Sequence, residues 1–319
     1  MSTSCKGDKK IQPQSLKLAY LAIILNAVIV GFSFLFTKVA IEFANPMDTL
    51  TFRFAASFAV ILIPFILGRL TLDLRGKSII KLLLLATLYP LGFFVFQTIG
   101  LQYATSSEGG ILYAFTPVLT MLLAFLFLKE STTLLQKLSI VLSIFGVVFI
   151  LVMKGNGLAL SNLTGIILLS LSCLTFAGYS VLARSLLKTY HPAEITFLTQ
   201  GIGFVVFFVI SFTNHVTAGT IKTFFAPFAS GSFIISVLYL GVLSSLVTAL
   251  TANYALSKLE ASRVSVFTSL STLVSIAAGA LLLGEEIRFY HIIGSMLINV
   301  GVIGTNQVRR KSDNPAARE

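Results

Sequence analysis

The chain has 319 residues, 56% of them hydrophobic and 11% charged, with 23 Lys and Arg against 12 Asp and Glu for a formal charge of +11. Soluble domains carry about 25% charged residues, and the mean hydropathy here is +0.93. That excludes a soluble domain, a basic nucleic-acid binder and any extramembrane stretch long enough to fold alone, and leaves a polytopic membrane protein.

About 20 apolar residues suffice for a spanning helix. Ten windows qualify, at 18–41, 49–68, 79–101, 106–128, 135–153, 163–187, 194–212, 232–254, 263–283 and 289–308. They follow a polar tail over 1–17 and precede one over 309–319. The first window is too long for a signal-peptide core and no A-x-A-like site ends it, so it is expected to be retained. It carries Asn26, Ser33 and Thr37 at helical spacing. The second holds Arg53 just inside its start, and the third offers Tyr89 and Gln97. The fourth bears Tyr113, Thr116 and Thr120 on one stripe, with Pro117 between them. Ser139 and Ser143 form a small-xxx-small pair in the fifth, and Ser172 and Tyr179 stand in the sixth. The eighth has Ser244, Thr248, Thr251 and, close to its end, Asn253. The ninth has Ser265, Thr268, Thr272 and Ser275, and Gly294, Gly301 and Gly304 thin one side of the tenth. Small residues allow close approach, which makes the fifth and tenth helices candidates for peripheral packing or a homodimer contact. Cys5 and Cys173 support neither a disulfide frame nor a metal cluster.

Polar side chains in a membrane helix tend to face the bundle interior or a wet cavity. Asn26, Ser33, Tyr89, Gln97, Tyr113, Thr116, Tyr179, Thr248, Asn253, Thr268 and Thr272 are therefore candidate substrate-binding residues. Hydroxyls and amides suit a polar or zwitterionic solute, and the aromatics could stack on its apolar part. The competing use of each Ser or Thr is a bond to its own preceding turn or to a neighbouring helix. Asn253, near a helix end, has an interfacial reading too. Lys38 and Arg53 stand on the expected outer side. Either they converge on a cationic vestibule favouring a carboxylate or phosphate, or Lys38 snorkels and Arg53 pairs with Asp48 or Glu42. Pro117 should kink its helix and is a hinge candidate. Glu130 and Glu285 end the fourth and ninth windows, where a carboxylate is unfavourable for a helix C-terminus. A cap on the next helix or a latch onto the other half fits them better than substrate contact.

The basic residues set the orientation. With the termini inside, 18 of the 23 Lys and Arg fall inside and 5 (Lys38, Arg53, Lys154, Lys222 and Arg288) outside. The positive-inside rule then makes both termini cytoplasmic. The chain also repeats itself. An offset of 155 pairs Glu130 with Glu285, Gly146 with Gly301, Ser107 with Ser262 and Leu101 with Leu256. Gly31-Phe32-Ser33 lines up with Gly178-Tyr179-Ser180, and Asn45-Pro46 with His191-Pro192. Five helices per unit force the second unit into the membrane upside down, as in the inverted repeats of secondary transporters. The expected fold is an all-α membrane protein of ten transmembrane helices in two inverted five-helix repeats, over 18–153 and 163–308.

Val30-Gly31-Phe32-Ser33 running to Lys38, Pro46 followed by Arg53, Pro117 followed by Leu128-Lys129-Glu130, and the second copy Leu283-Gly284-Glu285 stand in fixed order. In these features the chain resembles the drug/metabolite transporter superfamily, EamA type. It departs from that pattern at Val30, where Trp is usual, and at Thr272, where Pro is frequent. The resemblance covers roughly 20–306 and implies a carrier of amino acids, drugs or other small metabolites, often moved outward, in a bacterial inner membrane.

No acid falls near the middle of a window: Glu108 and Glu194 lie at helix starts, and His191, His215 and His291 at helix ends. A buried proton relay is thus not expected, which favours exchange or facilitated diffusion. No P-loop or hydrolase motif is present, and no cofactor is expected. The expected partners are a small-molecule substrate and the lipid bilayer. The reading is a metabolite exporter. Its rivals are an antiporter of phosphorylated or nucleotide-linked solutes, such as S-adenosylmethionine or nucleotide sugars, and a membrane-embedded enzyme acting on lipid.

Overall fold

The computed structural model describes residues 13–69, 77–128, 134–154, 160–259 and 267–312, with residues 72 and 264. Every regular element among them is helical. In chain order they are α1 (Pro13–Phe43), α2 (Pro46–Ile66), α3 (Ile79–Ala86), α4 (Phe93–Tyr103), α5 (Ser106–Tyr113), α6 (Thr116–Leu128), α7 (Leu134–Lys154), α8 (Leu160–Leu186), α9 (Pro192–Thr217), α10 (Gly231–Leu238), α11 (Thr248–Lys258), α12 (Thr268–Leu282) and α13 (Phe289–Ser312). Among the described residues, six helical stretches are long and apolar enough to cross a membrane: Lys17–Phe43, Pro46–Ile66, Ile79–Tyr103, Leu163–Leu186, Pro192–Thr217 and Gly231–Lys258. Shorter apolar helices occupy the fifth, ninth and tenth windows. Exposed Leu, Ile, Val and Phe on α1, α2, α7, α9 and α13 give the bundle an apolar outer surface, as an integral membrane protein needs.

Three windows that read as uniform α-helices depart from that geometry. In the third, α3 and α4 are joined by a π-helical segment, Thr87–Gly92, in which Tyr89 leaves helical geometry (φ −145°, ψ 118°) just before Pro90. Proline has no N–H to give to the preceding turn, and the residue before it is pushed toward extended backbone. In the eighth, α10 and α11 are joined by a π-helical segment over Tyr239–Val247. The offset of 155 carries 87–92 onto 242–247, inside that second segment. Irregular backbone at membrane depth is tolerated where protein covers it or a cavity adjoins it, so matched π-helical segments in the two units mark the place to look for a site.

The fourth window is interrupted at Ala114–Phe115, and Pro117 sits in the first turn of α6, where its missing donor leaves no intrahelical bond unmade. The Tyr113 carbonyl, left without a Pro117 donor, accepts the Thr116 hydroxyl at 2.6 Å. α7 and α13 pack along their small-residue faces. The Ser143 hydroxyl donates to the Ile298 carbonyl at 3.3 Å, and a Cβ on Gly301 would run into Ser143. The face that the sequence offers for a dimer contact is therefore covered within the chain.

Candidate functional site

The π-helical segments of the third and eighth windows face a central cavity walled by both halves of the chain. The first half of the chain lines it with Asn26, Val30, Ser33, Tyr89, Phe93, Phe94, Gln97 and Tyr113; the second half adds Phe176, Tyr179, Ser244, Thr248, Ala249 and Ala252. A second lobe shares Asn26, Tyr113, Phe176 and Ala252 with the first. It continues past Ile23, Ser180, Leu256, Phe267 and Ser271, toward the end of the bundle where α1 begins. Tyr89 is the hub of the aromatic wall, its ring centroid 4.7 Å from that of Tyr179, 5.1 Å from Phe94 and 5.5 Å from Phe93.

Seven of the sequence-derived candidates thus meet in one cavity: Asn26, Ser33, Tyr89, Gln97, Tyr113, Tyr179 and Thr248. The Asn26 amide donates to the Thr248 carbonyl at 2.8 Å and the Thr251 hydroxyl at 3.1 Å, tying α1 to α11 across the halves. Gln97 is 2% exposed, and its Oε1 has no hydrogen-bond partner. The other candidates stand behind the wall. Thr272 donates to the Gly110 carbonyl at 2.8 Å and binds α12 to α5, whereas Thr116 bonds its own preceding turn at Tyr113. Asn253 is fully buried, contrary to its interfacial reading. Its Oδ1 accepts from the Tyr179 hydroxyl at 2.6 Å and its amide donates to the Thr196 hydroxyl at 3.1 Å, which fixes the Tyr179 ring. The Thr268 side chain and Glu130 lie outside the described residues.

Lys38 and Arg53 do not share an outer vestibule. The Lys38 ammonium donates to the Leu101 and Ala104 carbonyls at 2.7 and 2.9 Å, where α4 ends; a cation suits a helix C-terminus. Arg53 is 1% exposed and pairs with neither Asp48 nor Glu42. Its Nε donates to Ser245 Oγ at 2.7 Å and its Nη2 to Ser244 Oγ at 2.9 Å, both in the second half. Its guanidinium carbon lies 4.0 Å from the centroid of the Phe94 ring. Behind it, Gln200 donates to the Ser245 carbonyl at 3.1 Å and accepts from Ser57 at 2.9 Å. Asp48 belongs to another cluster, accepting from Asn45, Ser211 and His215.

The far end of the bundle, where α1 finishes, is tied across the halves. The Glu285 carboxylate accepts from the Ser106 amide at 2.7 Å, and from the Ser107 amide and hydroxyl at 2.9 and 2.5 Å. It thus faces the positive N-terminus of α5 and escapes the negative end of its own helix. Gly284 makes this possible: its φ of +64° follows the end of α12, and the Leu283 and Glu285 amides both turn back to the Gly279 carbonyl, at 3.2 and 3.1 Å. Thr105 and Glu108 satisfy the remaining donors of α5 through a capping box. Asp48 with Ser211 and His215 is a second tie between the halves at this end. At the opposite end, Lys77 reaches Glu194 at 2.8 Å.

The sequence reading passed over Phe93, Phe94, Phe176, Ser57, Gln200 and Ser245. The phenylalanines resemble those that face lipid, and the polar trio needed the α2–α9 contact to be known.

The model of the EamA-like transporter family matches residues 17–152 and again 163–307. A chain of Bacillus subtilis (strain 168) described as the uncharacterized transporter YcxC is 44% identical over 93% of this chain and 96% of its own length. An uncharacterized transporter of Archaeoglobus fulgidus is 27% identical over 89% and 96%. A solved crystal structure of a protein superposes with a TM-score of 0.62 over 96% of this chain and 100% of its own, at 16% identity, a likeness of fold alone. Two family matches in tandem, falling on the two units whose π-helical segments face one cavity, settle the assignment: the chain belongs to the EamA-like transporter family.

Proposed function

We propose that this protein is an alternating-access carrier that exports small metabolites, amino acids or related compounds, across a bacterial inner membrane. It does so with ten spans, two inverted five-helix repeats and cytoplasmic termini. One observation carries the reading: a cavity walled by both units runs toward the end where α1 begins, where Lys77–Glu194 joins the units, while Glu285 and Asp48 tie them together through several bonds at the other end. Rocking one unit on the other would release those ties and uncover the cavity on the far side. With cytoplasmic termini, this is the inward-facing state. Among the described residues no Lys or Arg lines either lobe directly, and Arg53 alone stands behind the wall, on Ser244 and Phe94; one cation suits a singly charged solute better than a phosphorylated or nucleotide-linked one.

The test is counterflow. Purified protein in sealed liposomes, preloaded in turn with amino acids, S-adenosylmethionine or a nucleotide sugar, should take up labelled solute saturably in one set only. Uptake in the nucleotide-linked set would move the assignment to the antiporter. Chemical turnover of lipid in detergent, with no exchange in any set, would overturn the carrier.

A further inference from the structure

Arg53 is a buried cation without an anion. Among the described residues no carboxylate pairs with it: its partners are the neutral Ser244 and Ser245 and the face of Phe94, and its Nη1 has no hydrogen-bond partner. Removing a charge from water is expensive unless it is paired, and intramembrane ionisable residues are rare and functional by default. Two of its three contacts, Ser244 and Phe94, are themselves walls of the central cavity. One turn along from Phe94, Gln97 also lines the cavity, with a buried carbonyl oxygen that lacks a donor. The rest of this wall is aromatic: Tyr89, Phe93, Tyr113, Phe176 and Tyr179.

Deepening the carrier reading, we infer that the missing partner is the substrate: a small organic anion, carboxylate class, on an aromatic or apolar body that also carries an O–H or N–H donor. The anion would draw the guanidinium away from Ser244, the donor would meet Gln97 Oε1, and the body would lie among the rings. An aromatic cage could in principle seat a cation, but the unneutralised charge behind Phe94 opposes it. Arg53 is then the determinant of charge selectivity, and Ser244 its resting partner.

The probes are mandelate, its neutral isostere mandelamide, and the cation of 2-amino-1-phenylethanol, titrated calorimetrically into purified protein in detergent. The expected result is mandelate binding at least about tenfold tighter than mandelamide, a gap of about 1.4 kcal/mol, with the cation weakest. Arg53→Met, which replaces a buried charge by an apolar chain of similar length, should keep its unfolding temperature and lose the preference, and Arg53→Lys should retain part of it. Ser244→Ala frees the guanidinium without touching its charge and should tighten mandelate binding, a readout that survives if Arg53→Met fails to fold. Equal binding of the isosteres, a preference that persists in Arg53→Met, or no binding of mandelate overturns the inference. Because no gradient is involved, mandelate preference without counterflow would sink the carrier reading alone, and counterflow of neutral solutes only would sink the anion seat alone.

Discussion

The two units turn π-helical at the same place in the same helix, the first kinked at Tyr89 and the second unkinked, and then furnish it differently. Around the first segment stand Tyr89, Phe93, Phe94 and Gln97; around the second stand Gly241, Ser244, Ser245, Thr248, Ala249 and Ala252. One wall is bulky and aromatic, the other small and hydroxylated. The small wall lets α2 approach: a Cβ on Gly241 would lie 2.6 Å from the Arg53 carbonyl oxygen and 2.7 Å from the Ala56 Cβ. The repeated backbone defines where a cavity can exist, and the unlike side chains define what it can hold.

Exchanging those characters should erase the cavity. Ala252→Phe places a ring on the small wall where both lobes meet, and mandelate binding and counterflow should each fall at least tenfold, about 1.4 kcal/mol, with the fold intact by circular dichroism. Gly241→Ala attacks the close approach itself. Its methyl meets backbone and a Cβ, which cannot swing aside, so a loss of about 1–3 kcal/mol is expected, read as a lower unfolding temperature. At the far end, Glu285→Gln leaves an acceptor but no charge at the α5 N-terminus, with an expected loss of about 1–2 kcal/mol and faster hydrogen exchange at the Ser106 and Ser107 amides. Unchanged exchange there would show that the carboxylate does not hold the two units. The smallest effect is expected from Tyr179→Phe, which removes the donor to Asn253 at about 1 kcal/mol and should loosen mandelate binding slightly by freeing the ring.

Much of the cavity was legible from residue type. Asn26, Ser33, Gln97 and Thr248 interrupt apolar runs, and a polar group in lipid demands a partner or a wet surface, so their inward placement follows from physics that needs no fold. Tyr89, Tyr113 and Tyr179 were legible for the same reason through their hydroxyls. Phe93, Phe94 and Phe176 were not, because a phenylalanine is equally at home against lipid and against a solute. Arg53 was misplaced because sequence gives its depth in α2 only roughly and says nothing of which neighbour that face meets. The Lys38 site depended on where α4 ends, and α4 ends at Tyr103, two residues beyond its window. The interfacial alternative for Asn253 rests on a window that stops at 254; α11 runs on to Lys258, and Asn253 is buried with Tyr179 and Thr196 as partners. The breaks at Tyr89 and Ala114 have prolines one to three residues downstream; the π-helical segment of the second unit has none, and only the repeat pointed to it.

Glu285 reaches two main-chain nitrogens as well as one hydroxyl. A receptor built from peptide groups is the same for nearly every residue type, so replacing Ser106 or Ser107 by alanine leaves most of it standing, and only proline deletes an amide outright. Genetic drift in that first turn of α5 would therefore be tolerated as long as the acid and the left-handed glycine before it persist. Searches for variants that loosen this contact should target 284 and 285, not the helix end they grip.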